Sequence, residues 1–184
     1  MTRIGVLSDT HGLLDERIFE HFKDVDEIWH AGDIGSDMVL HRLREFKPTR
    51  AVYGNMDSGD VRYSLSEFYR FRVEEVNVLM THIGGYPGHY NPWLIPWFRK
   101  SLEAKNASMQ NDQMVNDQMV NVIDLFVCGH SHILKVQYDP VYKFLTINPG
   151  AAGKQGWQPC QTLLRFTIDG NKIDNLEVIE LERK

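Results

Sequence analysis

Two aspartates, one asparagine and four histidines stand at positions from which a folded chain could gather metal ligands. Asp9 and His11 lie in Ser-Asp-Thr-His-Gly, Asp33 in His-Ala-Gly-Asp-Ile-Gly, and Asn55 in Tyr-Gly-Asn-Met-Asp. His82 follows the run Val78-Leu79-Met80-Thr81, and His130 and His132 form Gly-His-Ser-His. Imidazole and carboxylate without thiolate suit Mn²⁺, Fe²⁺, Zn²⁺, Co²⁺ or Ni²⁺, whereas an all-oxygen set would point to Mg²⁺ or Ca²⁺. Seven candidates are too many for one ion and predict two ions sharing a carboxylate. Taken singly each signal is weak, because a strand-end histidine is commonly structural and Asp33 alone reads as a helix cap. The conjunction carries the argument.

The elements that must position these residues are legible from hydrophobic periodicity. Residues 4–7, 27–31 and 50–53 read as short apolar strands, and residues 15–23 and 38–46 place apolar side chains at helical spacing. This βαβαβ pattern predicts a parallel sheet with helices on its faces. The later chain is richer in hairpins: residues 68–73 with 76–81, 134–138 with 144–147, and 163–168 with 173–179, the last pair joined by Asp169-Gly170. The expected architecture is an α/β chain of two packed sheets with helices outside. Five strand-like runs each end in candidate ligands. In open α/β sheets the ligand crevice lies beyond the carboxyl ends of the strands, so parallel strands would bring these tips together.

Composition bounds the alternatives. The chain has 184 residues, 42% hydrophobic and 24% charged, with a formal net charge of -5. It reads as one domain, 1–184. The acidic balance argues against long nucleic acid as a partner, but a small phosphorylated substrate stays compatible because metal ions supply local positive charge. Two cysteines, Cys128 and Cys160, give no disulfide framework, and Cys128 reads as a buried thiol. No apolar run reaches the roughly 18 residues of a membrane span, and the strand at residues 4–7 leaves no room for a signal peptide. The expected location is the cytoplasm, and the sequence is compatible with a homo-oligomer. Asn-Asp-Gln-Met-Val occurs twice in tandem at residues 111–120. A period of five fits neither helix nor strand, so residues 106–121 read as a polar surface insertion.

In this order and context the motifs resemble those of the calcineurin-like metallophosphoesterase superfamily, and within it the small bacterial and archaeal phosphodiesterases of the YfcE type. The motifs are Asp9-Thr10-His11, Gly32-Asp33, Gly54-Asn55-Met56-Asp57, Thr81-His82 and Gly129-His130-Ser131-His132, and Asn148-Pro149-Gly150 is similar to a loop of the small members. The resemblance covers nearly the whole chain. It implies a four-layer αββα fold and a dinuclear centre, with Mn²⁺ the expected metal. It assigns Asp9, His11 and His132 to one ion and Asn55, His82 and His130 to the other, with Asp33 bridging. The implied reaction is hydrolysis of a small phosphodiester or nucleotide-like substrate by a metal-bridging hydroxide.

One departure bears on the chemistry. Many superfamily members carry His after the third-motif Asn, where it protonates the leaving group; here Met56 cannot donate a proton. A general acid contributes about 10²–10⁴-fold, so aryl diesters with good leaving groups should be favoured over alkyl monoesters. Asp57 is expected either to orient a ligand from behind or to stabilise its turn, and His30 to sit in the core or behind the ligands. The glycine-rich residues 83–90, with Trp93 and Trp97 beyond, read either as helix packing or as a lid. The competing function is a protein-binding scaffold without turnover, as in the retromer subunit that resembles these enzymes.

Overall fold

The computed structural model describes residues 1–110 and 121–183. Its strands form two five-stranded sheets. In the first sheet, β1 (Thr2–Leu7), β2 (Glu27–His30) and β3 (Thr49–Ala51) run parallel. The long strands β9 (Cys160–Asp169) and β10 (Lys172–Glu182) join antiparallel at the β1 edge, giving the order β10-β9-β1-β2-β3. The second sheet has the order β4-β5-β6-β8-β7. There β5 (Val76–Thr81), β6 (Leu125–Val127) and β8 (Phe144–Pro149) are parallel, flanked by antiparallel β4 (Phe68–Val73) and β7 (Leu134–Asp139).

Side-chain alternation along the strands explains the layering. Ile4, Val6 and Trp29 of the first sheet meet Val78, Met80, Leu125, Val127 and Ile147 of the second in one buried cluster. The opposite face of the first sheet contributes Leu7 and Ile28 to a cluster with α1 (Arg17–His21) and α2 (Asp37–Phe46), through Ile18, Val39, Leu40 and Leu43. The outer face of the second sheet offers Leu79, Phe126 and Phe144 to Leu94 and Phe98, from a 3₁₀ turn at Pro92–Leu94 and from α4 (Ile95–Gln110). Each sheet therefore buries both faces, and the order of layers is αββα. Gly5 reflects this crowding, since a Cβ there would lie 2.9 Å from the Phe22 ring.

The three hairpins form with the expected pairing, and the helices add detail to the sequence reading at three places. Helix α1 is shorter than residues 15–23, because Phe22 leaves the helical backbone region at φ −101° and ψ 8°. Helix α3 (Gly59–Ser64) has only Val61 buried and so carries no periodic signal. Helix α4 continues through residues 106–110, the first part of the stretch read as a surface insertion. The tandem repeat at 111–120 lies outside the described residues. No helix among those described is long and apolar enough to cross a membrane.

Trp93 and Trp97 are partly buried against the outer cluster. Their rings stand 5.7 Å and 4.7 Å from Phe68 and 6.0 Å from each other. This favours packing over a lid for the two tryptophans.

Candidate metal centre

The candidate ligands lie on loops that leave the carboxyl ends of parallel strands in both sheets. Asp9 and His11 follow β1, Asp33 follows β2, His82 follows β5, and His130 and His132 follow β6. They fall into two groups, Asp9 with His11 and His132, and Asp33 with His82 and His130; within each, the ligand atoms lie within 4.8 Å of one another. Each group thus draws members from both sheets. Asn55 lines the same cleft, together with His11, Asp33, Met56, His130 and His132. All seven predicted ligand residues therefore converge on one region.

The local backbone is unusual. Asp9, His11, Asp33, His130 and His132 have φ between 48° and 69°, in the left-handed region. Such a conformation costs a non-glycine residue about 1–2 kcal/mol, and persists where the surroundings over-determine it. Those surroundings are hydrogen-bonded loop on loop. Asp9 N–H donates to the Gly32 carbonyl at 3.0 Å, and His11 N–H donates to the Asp33 carbonyl at 3.0 Å. Gly129 N–H donates to the His82 carbonyl at 3.0 Å. The Asn148 amide donates to the Gly129 carbonyl at 2.8 Å and to Ser131 Oγ at 3.1 Å, bracing the His130–His132 turn. At Gly54 a Cβ would sit 2.0 Å from Asp33 Oδ1, so only glycine lets the Asn55 loop approach this carboxylate.

The inner carboxylates are almost fully buried, with Asp9 at 0% and Asp33 at 2% exposure. Asp9 Oδ2 accepts the His130 N–H at 3.1 Å, and its Oδ1 lies 3.1 Å from His132 Nε2. Asp33 Oδ1 accepts the Met56 N–H at 2.8 Å, while its Oδ2 lies 3.2 Å from His82 Nε2 and 3.9 Å from His11 Nε2. Asp33 accordingly touches members of both groups. Burial pushes its carboxyl up, but His82, the Met56 N–H and His11 outweigh burial and hold it below the ordinary range. Burial lowers His82, and the two carboxylates overcome this and raise it. Asp9 raises His132 against the opposing effect of burial, whereas burial and His82 lower His130.

Two buried atoms test whether a cation fits. Asp9 Oδ1 and His82 Nε2 have no hydrogen-bond partner despite these short separations, because their neighbours are close without being aligned. The Ala31 carbonyl, 2.8 Å from His82 Nδ1, accepts the proton on that nitrogen and so turns Nε2 toward the carboxylates. His11 Nε2 and His132 Nε2 face each other at 3.2 Å. Polar atoms converging in a buried place are costly unless something positive satisfies them, and a divalent cation in each group would do so.

The remaining singled-out residues divide clearly. Asp57 accepts backbone N–H groups from Ile34, Gly35 and Gly54 at 3.1, 2.7 and 2.8 Å. Of the two roles expected for it, turn stabilisation is the one these bonds describe. His30 is wholly buried and joins two ligand loops. Gly32 N–H donates to its Nδ1 at 3.2 Å, its Nε2 lies 2.9 Å from Thr10 Oγ1, and that hydroxyl donates to the Ile34 carbonyl at 3.0 Å. The chain of bonds is consistent with a neutral ring protonated at Nε2. Cys128 is buried, with its thiol pushed up to about 12 by desolvation. Sequence reasoning missed Leu13, Lys154 and Gln155, which line the cleft of about 640 Å³ beside the ligands. The available signal was position alone: Leu13 closely follows Asp9-Thr10-His11, and Lys154 and Gln155 follow Asn148-Pro149-Gly150.

Residues 2–171 match the calcineurin-like phosphoesterase superfamily domain. The chain belongs to this superfamily. It is 38% identical over 92 residues to a probable metallophosphoesterase of Methanothermobacter thermautotrophicus, a match covering 46% of this chain and about half (51%) of that relative. Among solved structures, zinc-complexed Vps29 from Entamoeba histolytica superposes with a TM-score of 0.65 at 12% identity, covering 99% of both chains. A predicted phosphoesterase from Streptococcus pneumoniae gives 0.56 at 18% identity over 97% of both chains. At these identities the two structures bear on the fold alone, and both share the two-sheet architecture.

Proposed function

We propose that this protein is a dinuclear-metal-dependent phosphodiesterase acting on a small phosphodiester. The observation that carries the reading is the pair of ligand groups beside one cleft, with Asp9 Oδ1 and His82 Nε2 buried and unpartnered between them. Asp9, His11 and His132 would hold one ion, and His82, His130 and Asn55 the other, with Asp33 common to both. Ions of this kind, when bound, supply Lewis-acid charge at phosphoryl oxygens and lower the pKa of water. Mn²⁺ is the expected metal, with Fe²⁺, Ni²⁺, Zn²⁺ and Co²⁺ compatible with the same donors.

The chain's own groups orient and shape. The Ala31 carbonyl and the Asp57 carboxylate fix His82 and the Asp33–Asn55 loops, so little reorganisation is required when substrate enters. Leu13 and Met56 give the cleft an apolar component suited to an aryl or base-bearing leaving group. Met56 cannot protonate that group, so departure depends on its intrinsic acidity. This is why a diester with a good leaving group is the preferred substrate class.

A chromogenic aryl phosphodiester tests the reading. Metal-stripped protein should be inactive, Mn²⁺ should restore turnover more effectively than Mg²⁺, and the diester should exceed the matching monoester. Asp33→Asn should abolish the restored activity. A scaffold without turnover is the second reading, favoured by the structural likeness to Vps29. The complete ligand set weighs against it, but absence of hydrolysis with every metal, despite ion binding, would favour it or an enzyme of very narrow substrate range.

A further inference from the structure

The metal-ligand loops supply most of the lining of the cleft, and Lys154 and Gln155 complete it from a separate segment. At about 640 Å³ it lies in the range of pockets that hold drug-sized ligands and is far larger than one phosphate requires. Among its described lining residues Lys154 is the one lysine or arginine. It is exposed, as are His11, Asn55 and His130 on the same cleft, whereas Asp9 and Asp33 are buried. No ion pair or hydrogen bond engages its side chain among the described residues, in a chain whose formal net charge is -5.

The backbone beneath Lys154 is firmly held. Ala152 N–H donates to the Ser8 carbonyl at 2.9 Å, and Gly153 N–H donates to the Asp9 carbonyl at 3.0 Å. A Cβ on Gly153 would lie 2.7 Å from the carbonyl oxygens of Asp9 and Thr10, so the segment lies directly on the first ligand loop. At its far end Gln158, with its amide turned to satisfy both neighbours, donates to the His132 carbonyl at 2.8 Å and accepts Leu134 N–H at 3.0 Å. Arg183 ties the two ends together by donating to the carbonyls of Gly153 and Gln158. Residues 153–158 thus form a strap pinned to the loops that carry Asp9 and His132. A lysine with no internal partner, carried on a held backbone, is free to meet a charge from outside.

We infer that Lys154 is a specificity-determining residue that engages a second anionic group of the substrate, beyond the phosphate being hydrolysed. The substrate class is then a phosphodiester whose retained or departing arm carries a further phosphate or carboxylate. This rests on the phosphodiesterase reading above and narrows it.

Two p-nitrophenyl phosphodiesters test the inference, one whose second arm ends in a carboxylate and one with that carboxylate capped as its methyl ester. Hydrolysis by the Mn²⁺-loaded protein is compared for wild type, Lys154→Gln and Lys154→Arg, alongside calorimetric binding of both esters. Wild type should favour the anionic arm at least about 10-fold in kcat/KM and in affinity, equivalent to about 1.4 kcal/mol. Lys154→Gln should erase that ratio mainly through KM, and Lys154→Arg should restore most of it. Equal losses on both esters in Lys154→Gln would overturn the inference by placing Lys154 on the scissile phosphate. A wild type that does not distinguish the arms would overturn it as well. If wild type hydrolyses neither ester, the phosphodiesterase reading fails by itself. The binding ratio then still decides about Lys154: a preference lost in Lys154→Gln upholds it as an anion-recognising residue, and no preference rejects it.

Discussion

The carboxylate of Asp57 accepts the backbone N–H of Gly54 at 2.8 Å and so closes the turn that presents Asn55. The same group holds Ile34 and Gly35 N–H, on the loop carrying Asp33. One buried side chain fastens two ligand loops. Asp57→Ala leaves three N–H groups without their acceptor, and an unsatisfied buried donor costs about 1–3 kcal/mol. The expected destabilisation in urea is about 3 kcal/mol or more. Asp57→Asn, which keeps one acceptor oxygen, should fall between Asp57→Ala and wild type.

The left-handed backbone at His132 separates side-chain loss from backbone strain. His132→Ala and His132→Gly both remove the imidazole, but only glycine accepts φ 55° without penalty. After allowance for glycine's greater unfolded freedom, His132→Gly should be about 1 kcal/mol more stable than His132→Ala in the metal-free protein. Equal stabilities would show that the surroundings do not enforce this conformation.

His30 sets a pH dependence of stability. Burial lowers its pKa from 6.5 to about 4, against the opposing influence of Asp57 and Asp9. Between these values the unfolded chain binds a proton that the folded chain refuses. The contribution is fully present above pH 6.5 and is lost as pH falls toward 4, about 3 kcal/mol over the window. In metal-stripped protein, His30→Gln should flatten the stability profile across this range relative to wild type. Parallel profiles would show that His30 is not the titrating group.

Trp93 and Trp97 surround Phe68 on the outer face of the second sheet. Because both are only partly buried, Trp93→Ala should lower stability by about 1–3 kcal/mol, below the range of a fully buried aromatic. With a packing role alone, KM for an aryl diester should stay near the wild-type value in a Mn²⁺-supported assay. A large rise in KM with unchanged stability would instead make these rings part of substrate binding.

The ligand types and their places after strand-like runs were readable because each motif is local: a few residues bound for one strand end. The two-sheet layering was readable because the βαβαβ order and the hairpin signals are local too, with the αββα order implied by the family resemblance. What escaped depends on distant segments meeting. The Gly32–His30–Thr10–Ile34 hydrogen-bond chain requires β1 and β2 to lie side by side. The strap bearing Lys154 reaches the Asp9 loop only because β9 returns next to β1. Helix α3 was hidden for a different reason, since a six-residue helix with one buried side chain has no period to detect.

Each ligand group takes members from both sheets. Between the sheets lies an apolar cluster, whose attraction has little directional preference and resists sliding weakly. Ions held by Asp9 with His132, and by Asp33 with His82, would rivet the two layers at one end of the seam. Chelation should therefore hasten amide hydrogen exchange at the carboxyl ends of β1, β2, β5 and β6 together, while the far ends of the same strands change little. Loss of protection confined to one sheet would mean that the layers are locked without the rivets. In this architecture the centre would serve as a mechanical joint as well as a place of reaction.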